Sequence, residues 1–325
     1  MSIEAIRIHE TGGPGVLRLD TLDLPDPGPG QIRIRHTAIG VNFIDTYHRS
    51  GLYPLPLPSG IGLEAAGIVE ALSDGVTTLK EGDRVAYGSG PIGAYSQAHI
   101  LPAGRVARIP DGVSDEQAAA LMLKGMTVRY LFKDTYALKA GDTILFHAAA
   151  GGVGQIACQW ARDMDVTLIG TAGSDEKCRV AKEMGATHVI NYRRENIADS
   201  VRSLTDGQGV PVVYDGVGAD TFEASLDCLQ PRGLMVSFGN ASGPVTGVNL
   251  GMLAAKGSLY VTRPVLMHYI AKDEDLAANT ADVFEAVGRG AVASSIGQRY
   301  ALSDARQAHE DLQARKTIGA SILLP

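Results

Sequence analysis

Cysteine is scarce in this chain: Cys158, Cys178 and Cys228 are the only three in 325 residues. They are widely spaced, odd in number and form no CxxC pair, which excludes a disulfide framework and leaves buried, reduced thiols as the expectation. Long apolar runs are absent too. No stretch approaches the roughly 18 uninterrupted apolar residues of a membrane-spanning helix. The opening MSIEAIRIHE alternates like a strand and lacks the apolar core of an export signal. A cytoplasmic protein with no membrane partner is therefore expected. Basic blocks are missing as well. The net charge is −7, and no lysine or arginine run is long enough to track a phosphate backbone. Nucleic acid is not an expected partner, although a local basic pocket for one phosphate is compatible with that balance.

What is present suits a globular enzyme. Hydrophobic residues make up 45% and charged residues 20%, ordinary values for a sizeable core, and the length suggests about two domains. From Ala5 to about Ile109 the pattern is strand-like, with alternating runs at Gln31–Ile39, Gly67–Ala71, Asp83–Ala86 and Ser96–Ile109. Turn-rich segments (Pro25–Gly30 and Gly51–Gly60) separate them. Ser114 with Gln117 forms a capping box that predicts an Ala-rich helix through Leu123. From Thr143 onward strands alternate with helices. Thr143–His147, Val166–Thr171, Thr187–Ile190, Val210–Tyr214 and Gly233–Phe238 are short apolar strands, and Glu176–Met184 is a helix stopped by Gly185. Such alternation predicts a parallel sheet covered on both faces. The last part, from about His268, holds two helices (around Ala281–Val287 and Ser303–Gln313) and a strand, Ala320–Leu324. That is too little for an independent core, so it is expected to return to the N-terminal domain.

The most informative segment is the glycine-rich turn from Ala148 to Gly154. A strand precedes it, and a second strand ends about 20 residues on, as a dinucleotide-binding βαβ unit requires. The helix after it carries Val153, Ile156, Ala157, Trp160, Ala161 and Met164 on one face. Gly151 lets the backbone approach a pyrophosphate, Gly154 lets the helix sit against the sheet, and Ala149 stands where many such motifs have their first glycine. Ala150, Gly151, Gly152 and Val153 are the candidate phosphate-binding residues, since the free N–H groups and dipole of a helix start favour an anion. At the end of the second strand an NAD site normally carries Asp or Glu for the ribose 2′-hydroxyl. Here the run is Gly170-Thr171-Ala172-Gly173-Ser174. Lys177, one turn into the next helix, can meet a 2′-phosphate as a point charge. NADPH is the expected cofactor.

Six segments carry a family resemblance: NFIDTYHRSGLYP (Asn42–Pro54), GIGLEAAGIVE (Gly60–Glu70), LKGMT (Leu123–Thr127), FHAAAGGVG (Phe146–Gly154), VVYDGVG (Val212–Gly218) and LDCLQPRGLMVSFGNASG (Leu226–Gly243). Together they resemble the NADPH:quinone oxidoreductases, the zeta-crystallin-like branch of the medium-chain dehydrogenase/reductase superfamily, over essentially the whole chain. The resemblance implies an α/β architecture: a GroES-like, mostly-β catalytic domain (residues 1–124 and 268–325) and a Rossmann domain with a doubly wound parallel sheet (125–267). It implies an acceptor cleft between them, and a homodimer formed through the Rossmann sheets near Leu234–Phe238. Carried over by position, the 2′-phosphate contacts fall on Gly173, Lys177, Tyr192 and Arg315. The nicotinamide side falls on Asn42, Asp45, Tyr47, Thr127, Val217, Phe238 and Gly239.

Departures from the zinc-dependent relatives narrow the chemistry. The stretch that carries their first cysteine reads GVNFID here, and their GHE motif reads Gly62-Leu63-Glu64. Leucine cannot ligate a metal, no cysteine quartet exists for a structural zinc, and the eight histidines show no ligand spacing. Metal-free reduction is expected. A quinone suits this, because its reduction restores aromaticity and demands little carbonyl polarisation. Tyr47 is the candidate to bond a quinone oxygen, with Asn42 fixing local geometry; packing against the cofactor is the equal alternative for Tyr47. Two other functions fit the same residues less well: reduction of an activated C=C bond in a 2-alkenal or enoyl thioester, and a non-catalytic protein that binds NADPH or RNA.

Overall fold

Alternating burial builds the first part of the chain, in a computed structural model that describes residues 1–325. Strand β1 (Ser2–Ile8) buries Ile3, Ala5, Ile6 and Ile8, and pairs antiparallel with β2 (Arg18–Asp23). The long β3 (Gln31–Val41) buries Ile32, Ile34 and Ile39. It leads into a helix, α1 (Phe43–Ser50), where a strand-like run was expected. The cause is local. Asn42 is the N-cap, and the Asp45 carboxylate accepts from the Asn42 backbone N–H at 2.8 Å, half of a capping box. Strands β4 (Ser59–Gly60), β5 (Ala65–Leu72), β6 (Arg84–Tyr87), β7 (Ala98–Pro102) and β8 (Ala107–Arg108) follow. The run from Ser96 to Ile109 is thus two short strands around a turn of 3-10 helix at Ala103–Arg105.

The Ser114–Gln117 capping box is present and opens α2 (Asp115–Ala119). The expected single helix through Leu123 is broken at Ala120–Leu121, and α3 (Met122–Tyr130) starts afresh. The break has a partner: the Leu123 N–H donates to the buried Glu64 carboxylate at 2.7 Å, so a side chain satisfies the new helix start.

The following segment is a doubly wound unit. Its elements in order are β9 (Thr143–Phe146), α4 (Gly152–Asp163), β10 (Thr167–Ala172), α5 (Asp175–Glu183), β11 (His188–Asn191) and α6 (Ile197–Leu204). Then come β12 (Val210–Asp215), α7 (Phe222–Asp227), β13 (Leu229–Ser237), α8 (Leu250–Ala255), β14 (Tyr260–Thr262) and α9 (Leu266–Tyr269). The sheet order is β11-β10-β9-β12-β13-β14, with every neighbouring pair parallel. Strand order reverses between β9 and β12, the switch point beyond whose carboxyl ends such sheets bind ligands. Helix α4 is buried from Gly154 through Ala161, including Gln155 and Gln159, so it is covered on more than the one face its periodicity suggested.

The C-terminal segment contributes α10 (Asp273–Gly288), β15 (Ile296–Ala301), α11 (Ala305–Gln313) and β16 (Ala320–Leu324). Strand β15 alternates between half-buried and exposed residues and carried no strong apolar signal. As expected, this segment returns to the first sheet: β16 pairs antiparallel with β3 through Ser321–Val41 and Leu323–Ile39. The resulting sheet runs β15-β16-β3-β5-β6-β8, with β7 also on β3. The chain forms two compact units, one of Met1–Met126, Ile270–Gly288 and Ala293–Pro325, the other of Thr127–Tyr269 and Arg289–Val292. No helix is long and apolar enough to cross a membrane.

Candidate functional site

The glycine-rich turn lies between the carboxyl end of β9 and the start of α4, for which Gly151 is the N-cap. The left-handed residue is Ala148, with φ 54°, rather than the Ala149 that stands in the first-glycine position. A Cβ on Gly154 would lie 2.4 Å from the Ala148 carbonyl oxygen and 2.6 Å from Ala149 Cα. Only glycine permits α4 to approach the turn this closely. Gln155 ties the turn down by donating to the Ala150 carbonyl at 2.9 Å. Ala150, Gly151, Gly152 and Val153 are thus grouped at a helix start whose first N–H groups have no intrahelical acceptor, a surface that suits a phosphate.

At the end of β10, Gly173 and Tyr192 are brought together: a Cβ on Gly173 would fall 2.3 Å from the Tyr192 hydroxyl. Ser174 caps α5 by accepting from the Lys177 N–H at 3.2 Å, which places Lys177 in the first turn of that helix. The nearby acid, Asp175, is engaged elsewhere. It accepts from Asn191 at 2.8 Å and pairs with Arg194 at 2.8 Å. Arg315 belongs to the other unit and follows α11 in a left-handed conformation, φ 59°.

The loops after β12 and β13 also meet. The carboxylate of Asp215 is fully buried and accepts from the N–H groups of Val217 (2.7 Å) and Gly218 (3.0 Å) and from the hydroxyls of Thr221 and Ser225. A Cβ on Gly239 would lie 2.3 Å from the Gly216 carbonyl oxygen, and one on Gly216 would strike the Phe238 ring at 2.9 Å. Val217, Phe238 and Gly239 are thereby gathered beyond the sheet's carboxyl end. Thr127 is buried on α3.

In the other unit, Asn42, Asp45 and Tyr47 cluster around the start of α1. The Asn42 amide donates to Glu64 at 2.7 Å, and Lys124 donates to the same carboxylate oxygen at 3.0 Å. Glu64 and Lys124 are almost completely buried, with side-chain exposures of 0% and 5%. Asp45 accepts from the Tyr95 hydroxyl at 2.9 Å, while its second oxygen is buried without a partner. Burial raises this carboxyl to about 7, against the hydrogen bonds from Asn42 and Tyr95 that favour its ionised form. Tyr95 in turn meets His309, which burial and then Arg49 push down to about 3. The Tyr47 ring packs edge-on against Tyr53, with centroids 5.4 Å apart. Sequence reasoning passed over Lys124, Tyr95 and His309. The N-x-x-D spacing of Asn42 and Asp45 is a local capping signal for α1 that the strand-like reading of this region passed over.

Comparison with known proteins places this arrangement. Residues 28–111 match the alcohol dehydrogenase GroES-like domain family, and residues 152–266 match the zinc-binding dehydrogenase family. A quinone oxidoreductase of Pseudomonas aeruginosa is 57% identical over 98% of this chain and 99% of its own. The solved Escherichia coli quinone oxidoreductase complexed with NADPH superposes with a TM-score of 0.97 at 52% identity, covering 99% of this chain and 100% of that one. The chain belongs to the quinone oxidoreductase family of medium-chain dehydrogenases/reductases. A 2-haloacrylate reductase from Burkholderia is 43% identical over 99% of each chain. The zinc in the name of one matching family finds no donor set here. No group of three or more His, Cys, Asp or Glu converges, Leu63 is a buried hydrocarbon, and Glu64 is committed to Lys124, Asn42 and Leu123.

Proposed function

We propose that this chain is an NADPH:quinone oxidoreductase that works without a metal. The observation that carries the reading is the β9–turn–α4–β10 unit with no acid at the end of β10, in a chain matching the NADPH-complexed E. coli enzyme end to end. The fit to NADPH rests on the helix start at Ala150–Val153, which Gly154 lets close onto the turn, and on the tight approaches that Gly173 makes to Tyr192 and Gly239 to Gly216. When bound, NADPH supplies a hydride to the acceptor. The protein's own work is to bind, orient and exclude water. Ala150–Val153 hold the pyrophosphate; Gly173, Lys177, Tyr192 and Arg315 hold the 2′-phosphate. Asn42, Asp45, Tyr47, Thr127, Val217, Phe238 and Gly239 border the nicotinamide. Residues 125–267 form the NADPH-binding domain, and 1–124 with 268–325 the catalytic one. Two-electron reduction of a quinone also takes up a proton, and the Tyr47 hydroxyl is the candidate to bond the acceptor oxygen that receives it.

A homodimer is part of the reading. β14 is the outer strand of its sheet, and it presents Tyr260 (62% exposed) and Val261 beside Leu250 (76% exposed) and Val265. An uncovered apolar strand edge of this kind is protected by pairing with a second copy. The protein is assigned to the cytoplasm.

A steady-state screen with NADPH against 1,4-benzoquinone, 9,10-phenanthrenequinone, 2-alkenals and 2-chloroacrylate tests the acceptor. Quinone turnover is expected, reduced in Tyr47→Phe. Turnover of the C=C substrates with no quinone activity would overturn the proposal and favour the chemistry of the 2-haloacrylate relative.

A further inference from the structure

One buried polar chain in the doubly wound unit joins two loops that the sheet alone does not connect. It begins at the turn, where the Ala148 N–H donates to the Thr171 hydroxyl at 3.4 Å. That hydroxyl lies 3.0 Å from His147 Nδ1, and His147 Nε2 lies 2.9 Å from the Ser225 hydroxyl. Ser225 donates to Asp215 Oδ2 at 2.8 Å, and Asp215 Oδ1 accepts from Val217 and Gly218. His147, Thr171, Ser225 and Asp215 are each at most 1% exposed.

The proton positions follow from counting donors. A carboxylate only accepts, so the Ser225 proton points to Asp215 and its oxygen must accept from His147 Nε2–H. His147 Nδ1 is then an acceptor, and the Thr171 proton points to it. The Thr171 oxygen is left to accept from Ala148. The bonds from the turn all run in one direction as far as Asp215, whose carboxylate also accepts from the Val217 and Gly218 N–H groups of the second loop. The histidine must be neutral for this, and its burial lowers its affinity for a proton, against a smaller opposing pull from Asp215. His147, Thr171 and Asp215 stand at the carboxyl ends of the three adjacent strands β9, β10 and β12, astride the switch point. Ala148, which the chain holds in a left-handed conformation without glycine's freedom, is the residue the Thr171 hydroxyl and carbonyl flank on either side of its peptide.

We infer that His147 is a positioning residue that links the glycine-rich turn to the Val217–Gly218 loop, so that the phosphate end and the nicotinamide end of the cofactor site are set as one unit. This rests on the reading that NADPH binds along the turn and that loop. The link touches no reacting atom; it acts through Thr171 on one side and through Ser225 and Asp215 on the other.

The test uses equilibrium binding, not turnover. Affinities for NADPH and for ADP-ribose 2′-phosphate, which lacks the nicotinamide, are measured for the wild type, Thr171→Val, Thr171→Ser, Ser225→Ala and the Thr171→Val/Ser225→Ala double variant. Each loss of a wire member should weaken NADPH by about tenfold, the scale of one buried hydrogen bond, and Thr171→Ser should restore wild-type affinity. Ser225→Ala should weaken the nicotinamide-free fragment as well, although Ser225 lies on α7, on the far side of His147 from the turn. The double variant should be no more than about twofold weaker than the worse single variant, the non-additivity of a shared unit. Additive losses, or a Ser225→Ala protein that binds the fragment normally, would overturn the link. Nitrogen NMR of the histidine-labelled wild type provides a reading that needs no variant to fold: His147 should carry its proton on Nε2, and a proton on Nδ1 would sink the proposal. Failure of the wild type to bind NADPH or the fragment would instead refute the cofactor reading, leaving the NMR result to judge the wire.

Discussion

Replacing Lys124 with methionine removes the one cation on a carboxylate that is sealed from water. Glu64 is 0% exposed and accepts three hydrogen bonds: from Lys124 at 3.0 Å, from the Asn42 amide at 2.7 Å and from the Leu123 N–H at 2.7 Å. Methionine matches the lysine stem in volume, so packing is largely kept and the loss is electrostatic. Breaking a buried pair from one side costs about 3–5 kcal/mol, because the remaining charge is uncompensated. Two donors stay on Glu64, which points to the lower end, about 3 kcal/mol. At roughly 2–4 °C per kcal/mol for a domain of this size, the melting transition should fall by about 6–12 °C. Calorimetry of Lys124→Met in the wild-type and Glu64→Gln backgrounds checks the cause. With Glu64 already neutral, losing Lys124 should cost less than about 1.5 kcal/mol, the value of an ordinary hydrogen bond. A loss below about 1 kcal/mol for Lys124→Met alone, typical of exposed pairs, would refute the argument. So would an equal loss in both backgrounds.

Three further outcomes are expected. Gly154→Ala should weaken NADPH by more than about tenfold and lower the melting temperature, since its Cβ meets backbone at 2.4 Å, whereas Gly288→Ala, with open space around it, should be neutral; equal behaviour of the two would remove the close-approach argument. Lys177→Ala should weaken NADPH far more than NADH in fluorescence titrations, and equal losses would remove the 2′-phosphate role. Stability should fall between pH 7 and pH 5 in denaturant titrations. His36 and His309 are held neutral when folded, down to about 3, so the unfolded chain binds more protons below its own value near 6.5. Their contribution is complete above that pH and is lost as pH falls, by about 2 kcal/mol each at pH 5. Asp45, raised to about 7, has the opposite slope and offsets about 2 kcal/mol of this. Asp45→Asn should therefore steepen the loss, and a flat profile in that variant would contradict the buried-histidine account.

Local patterns in the chain determined a good deal. An alternating run specified β3, and short continuous apolar runs specified β9, β10 and β12, to within a few residues, because strand patterning is written residue by residue. The Ser114–Gln117 box and the glycine turn were legible for the same reason: each satisfies backbone groups within a few positions of itself. The missing acid after β10 and the Leu63 substitution also needed no fold to be read. Tertiary structure alone decided the rest. Helix α2 stops at Ala119 because Glu64, some 60 positions away, accepts the N–H that begins α3. Helix α4 is buried beyond its apolar face because of what packs on it, which periodicity cannot encode. Lys124, Glu64 and Asn42 converge only once β3, β5 and α3 are assembled, and His147, Thr171 and Asp215 align only because β9, β10 and β12 lie side by side. Buried polar groups must find partners wherever the chain brings them, and those partners are close in space but remote in sequence.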